Sequence, residues 1–167
     1  MGLASLHILV GDDHGLARSI VADILRGAGL SRIRKVASGE EARSAIWRTA
    51  PDIVIADMSV LMDDAGLLEA IRTHRDSPDQ AMAVIAMTAY SDLRRIERLR
   101  DAGATEILAK PLSARSLMRR IVSVVDHPRA FVRAPHYAGP DRRRRVSAFA
   151  GPERRVARHS VLELDVA

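Results

Sequence analysis

The sequence predicts an α/β fold, a doubly wound (βα)5 domain carrying a disordered or ligand-ordered C-terminal tail. Three observations lead there. Five short apolar runs alternate with stretches of helical periodicity over residues 1–126, the pattern of a parallel sheet with helices on both faces. The runs are nearly continuous in apolar residues rather than alternating, as strands buried on both faces require. Finally, 167 residues with 47% hydrophobic and 28% charged residues suit one domain of about 100–150 residues plus an extension. That composition excludes fibrous and wholly disordered classes.

The runs, in order, are Leu6–Val10, Ile33–Ala37, Ile53–Ala56, Ala81–Met87 and Glu106–Ala109. The helices between and after them are expected at about 14–28, 39–49, 64–75, 91–102 and 113–125. Ser38, Ser91 and Ser113 stand where N-caps belong, and Gly103 follows the fourth helix as a stop. His127-Pro128 breaks the last helix, dividing the chain into a domain at 1–126 and a tail at 127–167. No run of 18 apolar residues is present, so no membrane insertion is expected. The first ten residues are too short and too poorly charged for a secretory signal. Without cysteine there is neither a disulfide framework nor a thiolate metal site. A cytoplasmic protein is the expectation.

Charge is uneven along the chain. The 17 basic and 17 acidic residues of 1–126 cancel, whereas 9 arginines against 4 acids in 127–167 carry the whole net charge of +5. Both lysines, Lys35 and Lys110, precede the tail. Arginine brings a planar fork of donors that stacks on rings, which lysine does not. Phe131, Tyr137 and Phe149 interleave with those arginines, a composition suited to a nucleotide base and equally to a basic terminus that keeps the protein soluble.

In a doubly wound sheet, ligands bind outside the carboxyl ends of the strands. Asp12-Asp13 ends the first strand, Asp57 the third, Thr88 the fourth and Lys110-Pro111 the fifth. Taken singly, each acid serves as well as a cap for the loop after its strand. Taken together, carboxylates in one crevice repel one another unless a cation joins them, and hard oxygen ligands suit magnesium. A lysine charge and a threonine hydroxyl opposite such an ion could hold a phosphoryl group, with Asp57 the nucleophile that forms an acyl phosphate.

These residues, Asp12-Asp13, Asp57, Thr88-Ala89 and Lys110-Pro111, resemble a response-regulator receiver domain of the CheY type, whose fold is flavodoxin-like. The resemblance covers about residues 5–126. It implies that Asp57 is the phosphoacceptor, that Asp12, Asp13 and Asp57 hold magnesium with the carbonyl of Ser59, and that Thr88 and Lys110 contact the phosphoryl group. A histidine kinase is the implied phosphodonor. Two features depart from the family pattern. The loop after Asp57 lacks the usual proline, with its glycine at Gly66. Ile107 stands where the family usually carries Tyr or Phe, and an isoleucine has no ring to swing between buried and exposed states.

The tail contains a repeat at an offset of twelve: Tyr137-Ala-Gly-Pro-Asp141-Arg142-Arg143 and Phe149-Ala-Gly-Pro-Glu153-Arg154-Arg155. Gly-Pro is expected to turn the chain between the aromatic and the acid, bringing ring, carboxylate and guanidinium groups together. Those groups fit guanine. A carboxylate accepts from its N1–H and exocyclic amine, Arg forks onto O6 and N7, and a ring or guanidinium plane stacks on its face. Arg129 and Arg133 add an Arg-x-x-x-Arg spacing upstream, and Arg144 and Arg145 extend the basic run.

The stretch Tyr137–Arg145, with Arg133, resembles the arginine-rich extension of the Cle proteins, CheY-like effectors of cyclic di-GMP. That resemblance implies cyclic di-GMP binding by the tail, docking on the flagellar motor switch protein and recruitment to the flagellar pole. The second copy, Phe149, Glu153, Arg154 and Arg155, is a weaker match.

Three functions compete. The first is a cyclic di-GMP effector acting on the motor. The second is a single-domain phospho-receiver with an incidental tail. The third is a nucleic-acid or membrane-surface binder using basic charge, which the acid inside each repeat argues against, so no nucleic-acid partner is expected. The histidines at 7, 14 and 74 are scattered without metal-ligand spacing. His136 adjoins Tyr137 and is a weaker ligand candidate. Trp47 reads as packing, and Arg94, Arg95, Arg98 and Arg100 crowd the fourth helix as either a solvated face or a docking surface. With no Ser-His-Asp set, P-loop or Gly-rich dinucleotide turn, no enzyme activity beyond self-dephosphorylation is expected.

Overall fold

The computed structural model describes residues 3–63, 66–89 and 93–143, and the backbone of 160–162. A 3-10 turn, Leu3–Ser5, precedes β1 (His7–Gly11), α1 (Gly15–Gly27), β2 (Arg32–Val36), α2 (Gly39–Thr49) and β3 (Ile53–Asp57). Then come α3 (Met58–Leu61), α4 (Leu67–Thr73), β4 (Ala83–Thr88), α5 (Leu93–Asp101), β5 (Glu106–Ala109) and α6 (Ala114–Asp126). The tail adds β6 (Phe131–Ala134), β7 (Tyr137–Pro140) and β8 (Ser160–Leu162).

The first five strands form a parallel sheet in the order β2-β1-β3-β4-β5, the flavodoxin-like order whose ligand crevice opens beside β1 and β3. β3 and β4 are buried almost throughout, because helices cover both faces. One layer packs Val21 and Leu25 of α1 and Leu117 and Ile121 of α6 on Ile8, Val10, Ile55 and Ile85. The other packs Ile46 of α2, Leu68 and Ile71 of α4 and Leu99 of α5 on Leu9, Val54 and Val84. The edge strand β2 exposes Arg32, Arg34 and Lys35 to varying degrees, charges that deter pairing with another chain. Trp47 packs against the second of these layers, as expected, with the Arg43 guanidinium 5.0 Å from its ring centroid.

Cap residues behave as their chemistry requires. Ser38 accepts from the Glu41 amide at 3.2 Å while the Glu41 carboxylate accepts from the Ala37 amide at 2.8 Å, and Ser113 and Ser116 form a reciprocal box. The expected Ser91 cap lies outside the described residues. The helix expected at 64–75 is the shorter α4, Leu67–Thr73, and the single turn α3, Met58–Leu61, directly after β3 is an addition the sequence did not suggest. Gly66, in the left-handed region at φ 57°, interrupts the helical dihedrals just before Leu67.

The tail departs from expectation. Phe131–Pro140 is not disordered but an antiparallel hairpin, pairing Phe131 with Pro140 and Ala134 with Tyr137. Its turn is Pro135-His136, so Gly139-Pro140 lies in a strand and is not the turn the repeat suggested. The backbone of β8 pairs on the other side of β6. The segment has few aliphatics, yet it orders by borrowing the receiver's surface. Phe131 is buried, the Asp141 amide donates to the Ala130 carbonyl at 2.8 Å, and β7 packs against α4. Gly103 and Gly139 make the approach possible. A Cβ on Gly139 would sit 3.0 Å from Gly103 Cα, and one on Gly103, where φ is +99°, would sit 3.0 Å from the Ala138 carbonyl oxygen.

Beneath that contact lies Arg72, fully buried. Its guanidinium donates to the carbonyls of Gly103 (2.9 Å), Gln80 (2.7 Å) and Met82 (2.7 Å) and to Thr105 Oγ1 (3.3 Å). Burial pulls its pKa down to about 10, with the charge of Asp79 opposing, so it stays protonated at neutral pH and keeps every donor.

Candidate functional site: the acidic pocket and the arginine hairpin

Parallel pairing puts the carboxyl ends of β1, β3, β4 and β5 side by side, and four of the residues expected there meet. Asp12 is fully buried, and its Oδ2 lies 2.6 Å from Lys110 Nζ. Asp57 Oδ2 lies 2.6 Å from the same nitrogen, so one ammonium bridges two carboxylates. Asp57 also caps α3, its Oδ1 accepting from the Ser59 amide at 2.8 Å. Thr88 is buried, its carbonyl accepts from the Lys110 amide at 2.8 Å, and its side chain lines the same cleft of about 330 Å³ as Asp57, Ser59, Arg95 and Arg98. The Lys110-Pro111 peptide is cis.

Burial acts against the Lys110 ammonium, but hydrogen bonds to Asp12 and Asp57, with their charges, outweigh it and hold its pKa above the usual lysine value. Asp13 is more exposed. Its hydrogen bond to His14 pulls its pKa below the usual carboxylate value, against a smaller burial effect and with help from the Ser59 hydroxyl. His14 was not expected here. Its Nδ1 lies 3.0 Å from Asp13 Oδ1, its amide donates to Asp12 Oδ1 at 2.9 Å, and ligand atoms of Asp12, Asp13 and His14 lie within 4.8 Å of one another. Adjacency to Asp13 in the chain was the signal for it. A cation position between the Asp12 and Asp57 carboxylates, defined by the Lys110 ammonium, and hard oxygens from Asp12 and Asp13 beside it make a donor set that fits magnesium.

The hairpin brings a second group together. The Arg142 guanidinium stacks 3.9 Å from the Tyr137 ring centroid and pairs with Asp101 at 3.1 Å. Tyr137 Oη donates to the Pro140 carbonyl at 2.6 Å. Asp141 Oδ1 accepts from the Arg143 amide at 3.0 Å, and Arg129 pairs with buried Glu106 at 2.9 Å. Arg133 is apart from these, bonded to Gln80 and 5.8 Å from the Phe131 ring centroid. Arg144, Arg145, Phe149, Glu153, Arg154 and Arg155 lie outside the described residues.

The sequence pattern of the response regulator receiver domain matches residues 8–122. The chain belongs to that family. It is 28% identical over 120 residues to a probable chemotaxis protein CheY of Rhizobium etli, spanning 71% of this chain and 92% of that one. It is 31% identical over 115 residues to the transcriptional regulatory protein PdtaR of Mycobacterium tuberculosis, where the match spans 68% of this chain and about half, 54%, of the other. Among solved structures, a CheY-like receiver domain protein of Methanospirillum hungatei superposes with a TM-score of 0.62 at 26% identity, covering 73% and 95% of the two chains. The receiver domain of the sensor histidine kinase PA1611 from Pseudomonas aeruginosa, which holds a magnesium ion in its active-site cleft, superposes with a TM-score of 0.65 at 24% identity, covering 74% and 99%. The last shows the fold alone. All these likenesses concern the receiver domain.

Proposed function

We propose that this receiver protein is a CheY-like signalling effector that binds cyclic di-GMP through its arginine-rich tail. It then docks on the flagellar motor switch protein and tunes motility and surface attachment. The observation that carries the reading is that Tyr137, Arg142 and Arg129 line one cavity, with Tyr137 stacked on Arg142 and Asp141 next to it in the chain, the ring, acid and guanidinium chemistry that guanine and phosphate recognition needs. Arg143 follows directly, and Arg133, Arg144 and Arg145 add charge for the phosphates. The second repeat, through Phe149, Glu153, Arg154 and Arg155, is an auxiliary contact. Similarity to a chemotaxis protein supports the motor as the partner.

Lys110 bridging Asp12 and Asp57 favours retained phosphoryl chemistry beside that role. In this second reading Asp57 is the phosphoacceptor, served by a histidine kinase. Asp12, Asp13, Asp57 and the Ser59 carbonyl would hold magnesium, which would supply positive charge to offset that of a phosphoryl group, and Thr88 and Lys110 would contact the phosphoryl oxygens. Titration with cyclic di-GMP, GTP and single-stranded DNA at two salt concentrations tests the first reading. An effector prefers cyclic di-GMP by orders of magnitude. A polyelectrolyte binder follows charge and loses affinity steeply with salt, and that outcome would refute the proposal.

A further inference from the structure

We infer that cyclic di-GMP sits in the cavity between the hairpin and the receiver, with the receiver's own Arg100 and Arg120 holding its phosphates alongside Arg129 and Arg142 of the tail. The inference rests on the function proposed above and adds the place of binding and the receiver's share in it. The cavity has a volume of about 760 Å³ and is walled by β5, α5, α6 and the hairpin, within the range of small-molecule sites.

Its charge matches the ligand. Among the described lining residues there are four guanidiniums, Arg100, Arg120, Arg129 and Arg142, and one carboxylate, Glu106. The ion pairs are shared. Glu106 takes both Arg120, at 2.8 Å, and Arg129, at 2.9 Å. Asp101 takes both Arg100, at 3.3 Å, and Arg142, at 3.1 Å. Four cations held by two anions leave two positive charges, the complement of the two phosphodiesters of a cyclic dinucleotide.

The donors are also pre-oriented. Each carboxylate fixes its pair of guanidiniums at the wall, so a phosphate meets forks already in place and less entropy is lost on binding. One donor is in surplus. Arg120 Nε is buried and finds no acceptor among the described residues, and a buried orphan of this kind calls for a partner. The Tyr137–Arg142 stack adds a flat surface on which a purine can lie. None of Arg100, Arg120 or Glu106 belongs to the tail motif, so the receiver domain supplies half of the guanidiniums.

The test is calorimetric titration of the full chain with cyclic di-GMP, comparing wild type, Arg100→Gln, Arg120→Gln and Arg94→Gln. Arg94 lies on the same helix as Arg100 and lines neither cavity, so it controls for loss of one charge. Losing a charge-assisted hydrogen bond should weaken binding about tenfold or more in Arg100→Gln and Arg120→Gln, with Arg94→Gln within about twofold of wild type. Urea midpoints establish that each variant folds. Should Arg120→Gln be unstable because Glu106 loses a partner, Arg100→Gln decides, since it leaves both Glu106 pairs intact. Wild-type affinity in Arg100→Gln overturns the cavity site and leaves tail binding standing. A wild-type chain that ignores cyclic di-GMP overturns both.

Discussion

Replacing Arg72 by methionine is expected to lower the unfolding free energy by about 2–4 kcal/mol and to loosen the hairpin together with the core. Methionine nearly matches the length of the side chain but donates nothing. The buried carbonyls of Gly103 and Met82 then lose the donors that reach them at 2.9 and 2.7 Å, at about 1–3 kcal/mol for each buried orphan. The Gln80 carbonyl is only partly buried and finds water. Part of the loss returns, because no carboxylate among the described residues is hydrogen-bonded to the guanidinium and its desolvation is relieved in the variant. Urea unfolding checks the figure. With a slope of about 1–3 kcal/mol/M for a small domain, the midpoint should fall by about 1–2 M at unchanged slope. Hydrogen exchange checks the second part. The Gly103 carbonyl is fixed by Arg72 directly under Gly139, so amides of β6 and β7 should lose protection beyond the global change. A midpoint within about 0.3 M of wild type, or hairpin exchange no faster than the global shift accounts for, would refute the view that Arg72 holds this contact.

Further outcomes follow from the same geometry. Asp141→Ala raises positive charge, yet a base-reading role predicts a loss of about 1–3 kcal/mol in cyclic di-GMP binding. Asp141→Asn keeps the acceptor for the Arg143 amide and separates the turn from the charge, and unchanged affinity in both variants would remove Asp141 from the site. Lys110→Ala deletes the cation between Asp12 and Asp57 and should tighten magnesium binding severalfold, measured calorimetrically, whereas Asp12→Asn should weaken it; the opposite order would mean that these carboxylates are not the ligands. Gly103→Ala forces a Cβ against Arg72 and the Ala138 carbonyl at a positive φ, and should lower the urea midpoint and strip protection from β7 amides. In the wild type, Phe131–Ala134 amides should be dispersed in a proton–nitrogen correlation spectrum, and a collapsed set there would contradict the hairpin.

What the sequence made legible is what chain-local chemistry encodes. Ile53–Asp57 is a continuous apolar run closed by an acid, so both its burial and the place of Asp57 at the sheet's carboxyl end could be read without coordinates. Asp12, Thr88 and Lys110 followed in the same way, each being the polar residue that terminates a buried strand. The hairpin was hidden because its stability comes from residues far away. Phe131 has few apolar neighbours in sequence, and nothing in the chain links Gly139 to Gly103 or either of them to Arg72, whose helix reads as an ordinary amphipathic one. Local propensity favours a turn at Gly139-Pro140, whereas pairing with Phe131 and Val132 holds it extended. His14 carries no signal in the sequence beyond its place next to Asp13, since isolated histidines rarely mark sites, and only the fold turns its ring and amide toward Asp13 and Asp12. The shared use of Glu106 and Asp101 by arginines of both segments is likewise a tertiary fact.

On the proposed function, cyclic di-GMP acting on the tail, rather than phosphorylation of Asp57, controls engagement of the motor. Ile107 lacks the ring that couples Thr88 to the output face in the family, while the arginine hairpin lies against that edge of the sheet. The decisive measurement is binding to the flagellar motor switch protein by wild type, Asp57→Asn and Arg142→Ala/Arg143→Ala, each with and without cyclic di-GMP. Ligand-dependent binding is expected of wild type and Asp57→Asn, and none of the double arginine variant. Loss of binding in Asp57→Asn, with binding kept by the double arginine variant, would contradict the proposed function.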